Sequence, residues 1–342
     1  MELTHRAVSL PLAEPFTISR ETSVDAPVVW LELRANGVTG VGEAAPQEHY
    51  GETAVSAQAF LDDAAELLGD DPFALEEIQA RLAARPGEAA AKSALDMALH
   101  DLCGKLSGLP VWKLLGLRRS GPPTSWTIWL GDPDDMARRA EGVDPRFRRL
   151  KLKLGGRDGL DVERVRAVRS TTELPLMVDV NEYWELDEAL ENVVALHGLR
   201  VEYVEQPLPA GDPGGVRLKR EAALPIYVDE DCHTLADVAA CAERAHGINI
   251  KLAKSGGIRE AVKMAAAARS LGLGVMLGCM IESGIGISAG AQLASLCDHV
   301  DLDGNLLLAD DPWPGVAFEG GVQIPADEPG LGVHEQAVPD PR

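Results

Sequence analysis

Cysteine is scarce in this sequence, and its arrangement excludes several classes of protein. The 342 residues contain five cysteines, an odd number scattered along the chain without any Cys-x-x-Cys pair. This spacing suggests neither a disulfide framework nor a zinc knuckle. The pattern is typical of a reducing compartment, and we expect a cytoplasmic protein.

Positive charge is also in short supply. The chain has 32 Lys and Arg residues against 54 Asp and Glu residues, which gives a formal net charge of −22 and a pI of about 4.7. This balance argues against nucleic acid and against an anionic membrane as partners. An anionic ligand would therefore need a local cationic or metal site to overcome the surrounding field.

Long apolar runs are missing as well. No uninterrupted apolar stretch reaches membrane-spanning length, and the N-terminal sequence MELTHRAVSLPLAEPF lacks the apolar segment of a secretion signal. Hydrophobic residues make up 46% of the chain and charged residues 25%, as in globular proteins. The length allows two domains, or one barrel with a satellite domain.

The apolar pattern changes near residue 125. Before this point, strand-like alternation with an Asn36-Gly37 turn precedes helical segments, which predicts an α+β domain over 1–120. After it, eight short apolar runs recur about every 24 residues, most of them followed by a helical stretch, so we predict a TIM-like α/β barrel over 121–309. Residues 310–342 are rich in Pro and Gly, and we expect this tail to pack on the first domain.

The stretch Leu150-Lys151-Leu152-Lys153 alternates two residue types, so at the strand period its lysines share one face. Taken alone, the pattern favours an edge strand whose lysines discourage aggregation. The alternative places both lysines inside a barrel, at its mouth. The ends of the other strands decide between these interpretations, because catalytic groups of such barrels lie at the carboxyl ends of the strands.

Three consecutive strand ends each offer a carboxylate, namely Asp179, Glu205 and Asp229. Each alone would more commonly be a helix cap, but three at the same point of successive units are difficult to explain in that way. Three converging carboxylates need a counter-charge, and an all-oxygen set favours Mg²⁺ over zinc. The sequence therefore predicts a magnesium site at these strand ends.

Two lysines add a reaction to this site. Lys153 on the second strand and Lys251 on the sixth should face each other across the mouth of the barrel. Two bases on opposite faces of one carbon are what a 1,1-proton transfer requires, and a metal would stabilise the enediolate formed when the proton α to a carboxylate leaves. A lysine acting as a base needs a lowered pKa, and we expect both Lys151 and the cation to lower it.

These residues, in this order, resemble the enolase superfamily and specifically its muconate-lactonizing subgroup. The similarity covers almost the whole chain and is carried by Lys151-x-Lys153, the DxNxxW of 179–184, Glu205-Gln206-Pro207, Asp229-Glu230-Asp231 and Lys251-Leu-Ala-Lys254. The family usually has Ser at the position of Asp231. We expect Asp231 to be a helix cap and Asp229 to be the third metal ligand.

This resemblance implies a (β/α)₇β barrel with an α+β capping domain, and a homo-oligomer. It also implies Mg²⁺ bound by Asp179, Glu205 and Asp229. Lys153 and Lys251 would then form the acid/base pair, with Lys151 as their catalytic neighbour.

Substrate-binding residues follow from the same resemblance. Asp301-x-Asp303 is similar to the pair that binds the substrate's free α-ammonium group in dipeptide epimerases. Arg20 resembles the capping-loop arginine that receives the glutamate side chain in Ala-Glu epimerases, and Tyr50 lies in a stretch similar to the second capping loop. Three residues after the seventh strand are expected to line the pocket: Cys279, Met280 and Glu282.

The function implied is a Mg²⁺-dependent dipeptide epimerase, most simply an L-Ala-D/L-Glu epimerase of peptidoglycan peptides. Three alternatives within the subgroup are a muconate-type cycloisomerase, an o-succinylbenzoate synthase and an N-acylamino acid racemase. A further alternative is a non-catalytic barrel that keeps a metal site. Nucleotide binding is disfavoured, because neither Gly155-Gly156 nor Gly284-x-Gly286 fits a dinucleotide-binding or Walker A motif.

Overall fold

A computed structural model describes residues 1–336, and the chain begins with an antiparallel sheet. Its three strands lie in the order β1 (Glu2–Thr17), β2 (Thr22–Ala35) and β3 (Val38–Ala44). The turn between β2 and β3 is the predicted Asn36-Gly37, and both residues have positive φ, at 52° and 77°. Such a turn matches the twist of a tight hairpin, which is why the Asn-Gly pair marks it in the sequence.

Four helices follow this sheet, and the first and third of them pack directly on it. They are α1 (Ala54–Leu68), α2 (Leu75–Ala83), α3 (Ala89–Ser107) and α4 (Val111–Leu114). The helix α3 lies against β3 so closely that a Cβ on Gly42 would stand 2.0 Å from the carbonyl oxygen of Ala94. The other side of α3 faces the rest of the chain, where Asp96 accepts a hydrogen bond from the amide of Arg259 at 3.1 Å. This helix is therefore buried on both sides.

Eight parallel strands then form a single sheet in sequence order, as the apolar runs predict. Their bounds are β4 (Trp126–Ile128), β5 (Leu150–Lys153), β6 (Leu176–Asp179), β7 (Val201–Glu205), β8 (Ile226–Val228), β9 (Gly247–Lys251), β10 (Gly274–Gly278) and β11 (His299–Val300). A parallel bridge between Thr124 and Val300 joins the first strand region to the last. This bridge closes the sheet into a barrel and confirms the predicted fold class.

Helices connect the strands and cover the outside of the barrel. They are α5 (Pro133–Glu141), α6 (Asp161–Thr171), α7 (Leu186–Gly198), α8 (Gly215–Glu221), α9 (Val238–Arg244), α10 (Leu252–Ser255), α11 (Ile258–Ser270) and α12 (Gly284–Ala291). Short 3₁₀ turns occur at Glu48–Tyr50, Leu235–Asp237, Ala294–Leu296 and Gly304–Leu307. A hairpin of β12 (Val316–Glu319) and β13 (Val322–Pro325) follows the barrel.

The C-terminal segment contacts the first part of the chain. The amide of Leu331 donates to Asp101 at 2.7 Å, and the carbonyl of Gly330 accepts from the amide of Val111 at 3.0 Å. The division of the chain at residues 120 and 309 stays a prediction, and the last six residues of the predicted tail lie outside the described part. Within 1–336, no helix has both the length and the apolar character needed to cross a membrane.

The strand β5 carries the alternating lysines, and the edge interpretation of it is wrong. It pairs with β4 on one side and with β6 on the other, and all four of its residues are buried. Its register sets Lys153 beside Asp179, and the register of β6 with β7 sets Asp179 beside Glu205. Hydrogen bonding along the sheet thus brings three charged side chains to one level at the same end of the barrel.

Candidate active site

Three carboxylates lie at the carboxyl ends of neighbouring strands. Asp179 ends β6, Glu205 ends β7 and Asp229 directly follows β8, and each is fully shielded from solvent. Parallel strands place their carboxyl ends at one side of a barrel, so the fold brings the predicted acids together. Fully buried carboxylates need partners, and those partners are mainly lysines.

Lys151 lies at the centre of this group and contacts three acids. Its Nζ is 3.0 Å from Asp179, 2.8 Å from Glu205 and 2.8 Å from Asp301. Lys153, two residues further along the same strand face, donates to Asp179 at 2.6 Å. Both lysines therefore contact the carboxylate of Asp179.

Asp229 is held by two other lysines. The Nζ of Lys251 lies 2.6 Å from one of its carboxylate oxygens, and the Nζ of Lys254 lies 2.5 Å from the other. Lys254 also donates to the backbone carbonyls of Asp229 and Asn249, at 2.6 and 2.9 Å. This buried ammonium group fixes the loop that carries Asp229.

The three acids differ in how their surroundings shift their pKa values. Burial disfavours the ionised form of each, but Lys151 and Lys153 lower the pKa of Asp179, and Lys251 and Lys254 lower the pKa of Asp229. At Glu205, the positive charges of nearby lysines do not offset burial. Burial and the neighbouring charge of Asp179 therefore raise its pKa.

The lowering of a lysine pKa by Lys151 and a cation stays a prediction, because direct contacts with carboxylates act in the opposite sense. Although burial opposes the charge, Asp179, Asp301 and Glu205 raise the pKa of Lys151 well above its ordinary value. Asp229 likewise raises the pKa of Lys251, and it outweighs the lowering effect of both burial and Lys151. Direct contact with carboxylates thus outweighs the effect of nearby cations on these two lysines.

The same contacts decide whether the site suits a metal. Within 1–336, no three Asp, Glu, His or Cys side chains converge as a preformed metal cluster, because the carboxylates are turned toward lysines. Their chemistry nevertheless fits a hard cation, since three buried carboxylates stand on adjacent strand ends. Glu205 Oε2 and Asp229 Oδ2 lack a hydrogen bond of good geometry, but each lies against an ammonium group, Lys151 at 2.8 Å and Lys251 at 2.6 Å. A divalent ion at these oxygens would have to replace lysine contacts.

A cavity of about 600 Å³ opens above these residues. Lys153 and Lys251 both line it, although they belong to strands that stand four apart in the barrel. Each lysine is 8% exposed, so the amino groups reach the cavity while their stems remain buried. The structure thus brings the two lysines to one space, as the sequence predicts.

Asp301 and Asp303 follow the last strand and line the same cavity, but their partners differ. Asp301 accepts from Lys151 at 2.8 Å and from the hydroxyl of Ser125, and these contacts lower its pKa although burial opposes this. Asp303 accepts from the amide of Thr127 at 2.7 Å. Burial and the charge of Asp301 raise the pKa of Asp303 to about 7.

Arg20 and Tyr50 close the cavity from the side of the N-terminal sheet. The guanidinium of Arg20 lies 3.0 Å from Glu230 and 3.1 Å from Glu182, so two carboxylates already accompany it. The ring of Tyr50 packs edge-on against His233, with centroids 4.6 Å apart. Both predicted capping-loop residues therefore reach the cavity.

The residues after β10 divide into two groups. Cys279 and Met280 line the cavity, as predicted. Glu282 is not among the lining residues; it is buried, and its carboxylate accepts the amide of Met280 at 3.0 Å. Its assignment to substrate binding stays a prediction.

Asp231 does not cap a helix, so that prediction is wrong. Its carboxylate accepts from the side chain of Gln206 at 2.9 Å and from the amide of Gly211 at 2.8 Å, and it pairs with Arg244 at 3.0 Å. The following 3₁₀ turn is capped by Thr234 instead. Asp231 therefore ties together the loops after β7 and β8, which leaves Asp229 as the acid at the strand end.

Several neighbours of the site were missed by the sequence argument. Asn249 donates to Glu205 at 2.7 Å, and Asn181 lies 3.3 Å from both Lys153 and Glu230. Asn249 stands two residues before Lys251, so the strand period already places both on one face. That signal could have identified it, whereas the contacts of Asn181 depend on a loop conformation.

Comparison with known families supplies an independent view of this arrangement. Residues 135–336 match the family model described as enolase C-terminal domain-like, and residues 1–116 match the mandelate racemase/muconate lactonizing enzyme N-terminal domain. The chain belongs to the mandelate racemase/muconate lactonizing enzyme group of the enolase superfamily. The resemblance noted in the sequence is thereby confirmed.

Relatives within this superfamily carry related names. An L-Ala-D/L-Glu epimerase of Bacteroides thetaiotaomicron is 39% identical and covers 97% of this chain and 88% of its own length. A hydrophobic dipeptide epimerase of Roseobacter litoralis is 37% identical, covering 97% of this chain and 98% of its own. A dipeptide epimerase structure from Enterococcus faecalis, complexed with Mg and L-Leu-L-Tyr, aligns with a TM-score of 0.93 and 31% identity over 97% of this chain and 98% of that one.

Proposed function

We propose that this superfamily member is a Mg²⁺-dependent dipeptide epimerase that inverts the α-carbon of the C-terminal residue. One observation carries the proposal: Lys153 and Lys251 come from strands on opposite sides of the barrel and line one cavity. Two amino groups so arranged suit proton removal from one face of a carbon and proton return to the other. The names of the relatives support the same reaction.

The two proton transfers require one lysine to be neutral and the other to be an ammonium group. The neutral lysine takes the α-proton: the C–H bond breaks, an N–H bond forms, and the electron pair moves toward the carboxylate to give an enediolate. The second lysine then donates its proton to the opposite face. Because either lysine can begin, the reaction runs from either epimer.

Asp179, Glu205 and Asp229 are the residues proposed to hold the metal. When bound there, Mg²⁺ would supply positive charge beside the substrate carboxylate, where negative charge develops. A cation on these acids would also oppose the effect of Asp229 that raises the pKa of Lys251. Lys151 would remain with Asp301, at the floor of the cavity.

The ends of the substrate are assigned to separate regions. The free α-ammonium group of a dipeptide suits Asp303 and Asp301, the two acids at the end of the last strand. The C-terminal side chain would extend toward Arg20 and Tyr50. A glutamate side chain suits Arg20, so L-Ala-D/L-Glu is the first substrate proposed. A peptidoglycan origin, a cytoplasmic location and a homo-oligomeric state stay predictions.

Deuterium exchange tests this proposal directly. Incubation of L-Ala-L-Glu with the protein and Mg²⁺ in D₂O should place one deuterium at the glutamate α-carbon and produce L-Ala-D-Glu. A dipeptide library under the same conditions measures specificity. If no library member exchanges, the proposal is wrong.

A second experiment separates dipeptides from other substrates of the superfamily. Asp303→Asn should weaken turnover of dipeptides, because it removes a charge that would meet the ammonium group. Asp303 is a cleaner target than Asp301, which also holds Lys151. Full turnover of an amine-free anionic substrate by both forms would instead favour a cycloisomerase or an N-acylamino acid racemase.

A further inference from the structure

Glu182 contacts both of the loops that cover the cavity, although it belongs to the barrel. It lies in the loop after β6, three residues beyond Asp179. The same oxygen, Oε2, is 3.1 Å from the guanidinium of Arg20 and 3.0 Å from Nε2 of His49. Arg20 belongs to the connection between β1 and β2, and His49 to the 3₁₀ turn after β3.

The other oxygen of Glu182 is held from the barrel side. Oε1 accepts the amide of Ala210, in the loop after β7, at 2.8 Å. The side chain is 15% exposed, so water competes only weakly for these contacts. One carboxylate thus joins two loops of the N-terminal region to two loops of the barrel.

The backbone at this position is unusual as well. Glu182 has φ of 74°, in the left-handed region that non-glycine residues seldom adopt, and the preceding Asn181 has φ of 49°. The amide of Glu182 donates to the carbonyl of Gln206 at 2.8 Å, which holds the conformation. A glycine would adopt this backbone conformation without strain. The contacts of the glutamate side chain therefore offset the conformational strain of a non-glycine residue at this position.

We infer that Glu182 is a positioning residue of the substrate cavity. Its carboxylate holds the Arg20 loop and the Glu48–Tyr50 turn over the barrel mouth and orients Arg20 for the substrate side chain. This inference rests on the proposed function for its kinetic consequence, but its structural consequence can be measured without a substrate. Arg20 also pairs with Glu230 and Tyr50 packs on His233, so each loop keeps one other contact when Glu182 is changed.

The test compares Glu182→Ala with Glu182→Gln and a matched control. Glu185→Gln removes the same charge from the same loop, at an exposed position without a side-chain cap bond. Hydrogen exchange is followed at residues 17–24 and 46–52, where the amides of Ile18 and Tyr50 are bonded within their own turns. Steady-state kinetics are measured on the preferred dipeptide of the unaltered protein.

Glu182→Ala should speed exchange in both segments by about tenfold and raise KM by about tenfold, with kcat changed by less than about threefold. Glu182→Gln keeps one acceptor oxygen for a partner. Its exchange rates and its KM should therefore lie between those of Glu182→Ala and the unaltered protein. Glu185→Gln should match the unaltered protein. A merely structural role would instead lower thermal stability without separating KM from kcat.

The outcomes distinguish this inference from the proposed function. Unchanged exchange in both segments of Glu182→Ala would overturn the inference, whatever the substrate. Faster exchange in a protein that turns over no dipeptide would leave the loop contacts supported and contradict the proposed function. A fall in kcat with an unchanged KM would also overturn the positioning role.

Discussion

The floor of the cavity, formed by the lysines and acids at the strand ends, differs from the covering loops in how deeply its charged side chains are buried. On the floor, charged groups stand on strand ends, are almost fully buried, and pair with one or more neighbours; Lys151 alone contacts three acids. In the covering loops, the side chains of Arg20 and His49 are 22% and 41% exposed. Under the proposed function, this contrast would leave the reaction to the strand ends and substrate choice to the covering loops.

The largest effect is expected on the floor. Lys153→Ala and Lys251→Ala should each reduce epimerisation of any accepted dipeptide by about 10³-fold or more, because each removes a positioned acid/base group. The change is measured by chiral chromatography of the products. Lys113→Ala, at a half-exposed lysine near the tail, is the control and should retain full activity. Retention of activity in either floor variant would place the chemistry elsewhere.

A second prediction concerns the stability of the same floor. Lys254→Met removes a fully buried ammonium group that contacts Asp229 and the carbonyl of Asn249. We expect unfolding free energy to fall by about 3 kcal/mol, since breaking a buried ion pair leaves polar groups without partners. Urea denaturation followed by circular dichroism measures the change. Lys263→Met, at a partly exposed surface site, should change stability by less than about 0.5 kcal/mol.

A smaller and more selective effect is expected in the covering loops. Arg20→Met should lower kcat/KM for L-Ala-L-Glu by about tenfold to a hundredfold, because a charge-assisted contact to the substrate is lost. A dipeptide with an apolar C-terminal residue should change by less than about threefold. Equal losses on both substrates would show that Arg20 supports the fold of the loop rather than substrate choice.

A pH-dependent effect on stability is expected where the N-terminal sheet meets the barrel. Glu43 on β3 accepts from Trp30 at 2.6 Å and from the amide of Ser283 at 2.8 Å. Burial, together with Glu282, raises the pKa of Glu43 from 4.5 to about 8. The folded state therefore holds a proton that the unfolded state releases, so this contribution to stability is complete below pH 4.5 and is lost as the pH rises toward 8.

Glu43→Gln should flatten that part of the stability profile. Unfolding free energies from urea denaturation between about pH 5 and pH 8 should fall less steeply in the variant, by about 3 kcal/mol over the range. The absolute stability also changes, because Trp30 would lose an acceptor, so the slope is the quantity to compare. Parallel slopes in both proteins would contradict the raised pKa of Glu43.

The floor could be predicted from the sequence because strand periodicity and strand ends fix it. The alternation of Lys151 and Lys153 and the acids at Asp179, Glu205 and Asp229 need only a barrel to bring them together. The direct contacts were less accessible to that reasoning, since the pattern contains no distances. This is why the contact with Asp229, which raises the pKa of Lys251, did not enter the expectation.

The loops were predicted less completely, because their contacts join distant parts of the chain. Arg20 could be assigned to the cavity by resemblance, but its pairing with Glu182 depends on a left-handed backbone conformation of Glu182 that no sequence period reveals. Asp231 illustrates the same limit. Its position after a strand is typical of a helix cap, yet its partners come from the loop after β7 and from α9.

The central claim is that strand ends perform the reaction and covering loops select the substrate. One measurement tests it most directly: formation of the opposite epimer in D₂O across a dipeptide library, for the unaltered protein, Lys153→Ala and Arg20→Met. The account predicts that Lys153→Ala loses epimerisation of every substrate, whereas Arg20→Met keeps the reaction and changes the order of preferred substrates. Loss of every substrate in Arg20→Met, or an unchanged profile in Lys153→Ala, would contradict it.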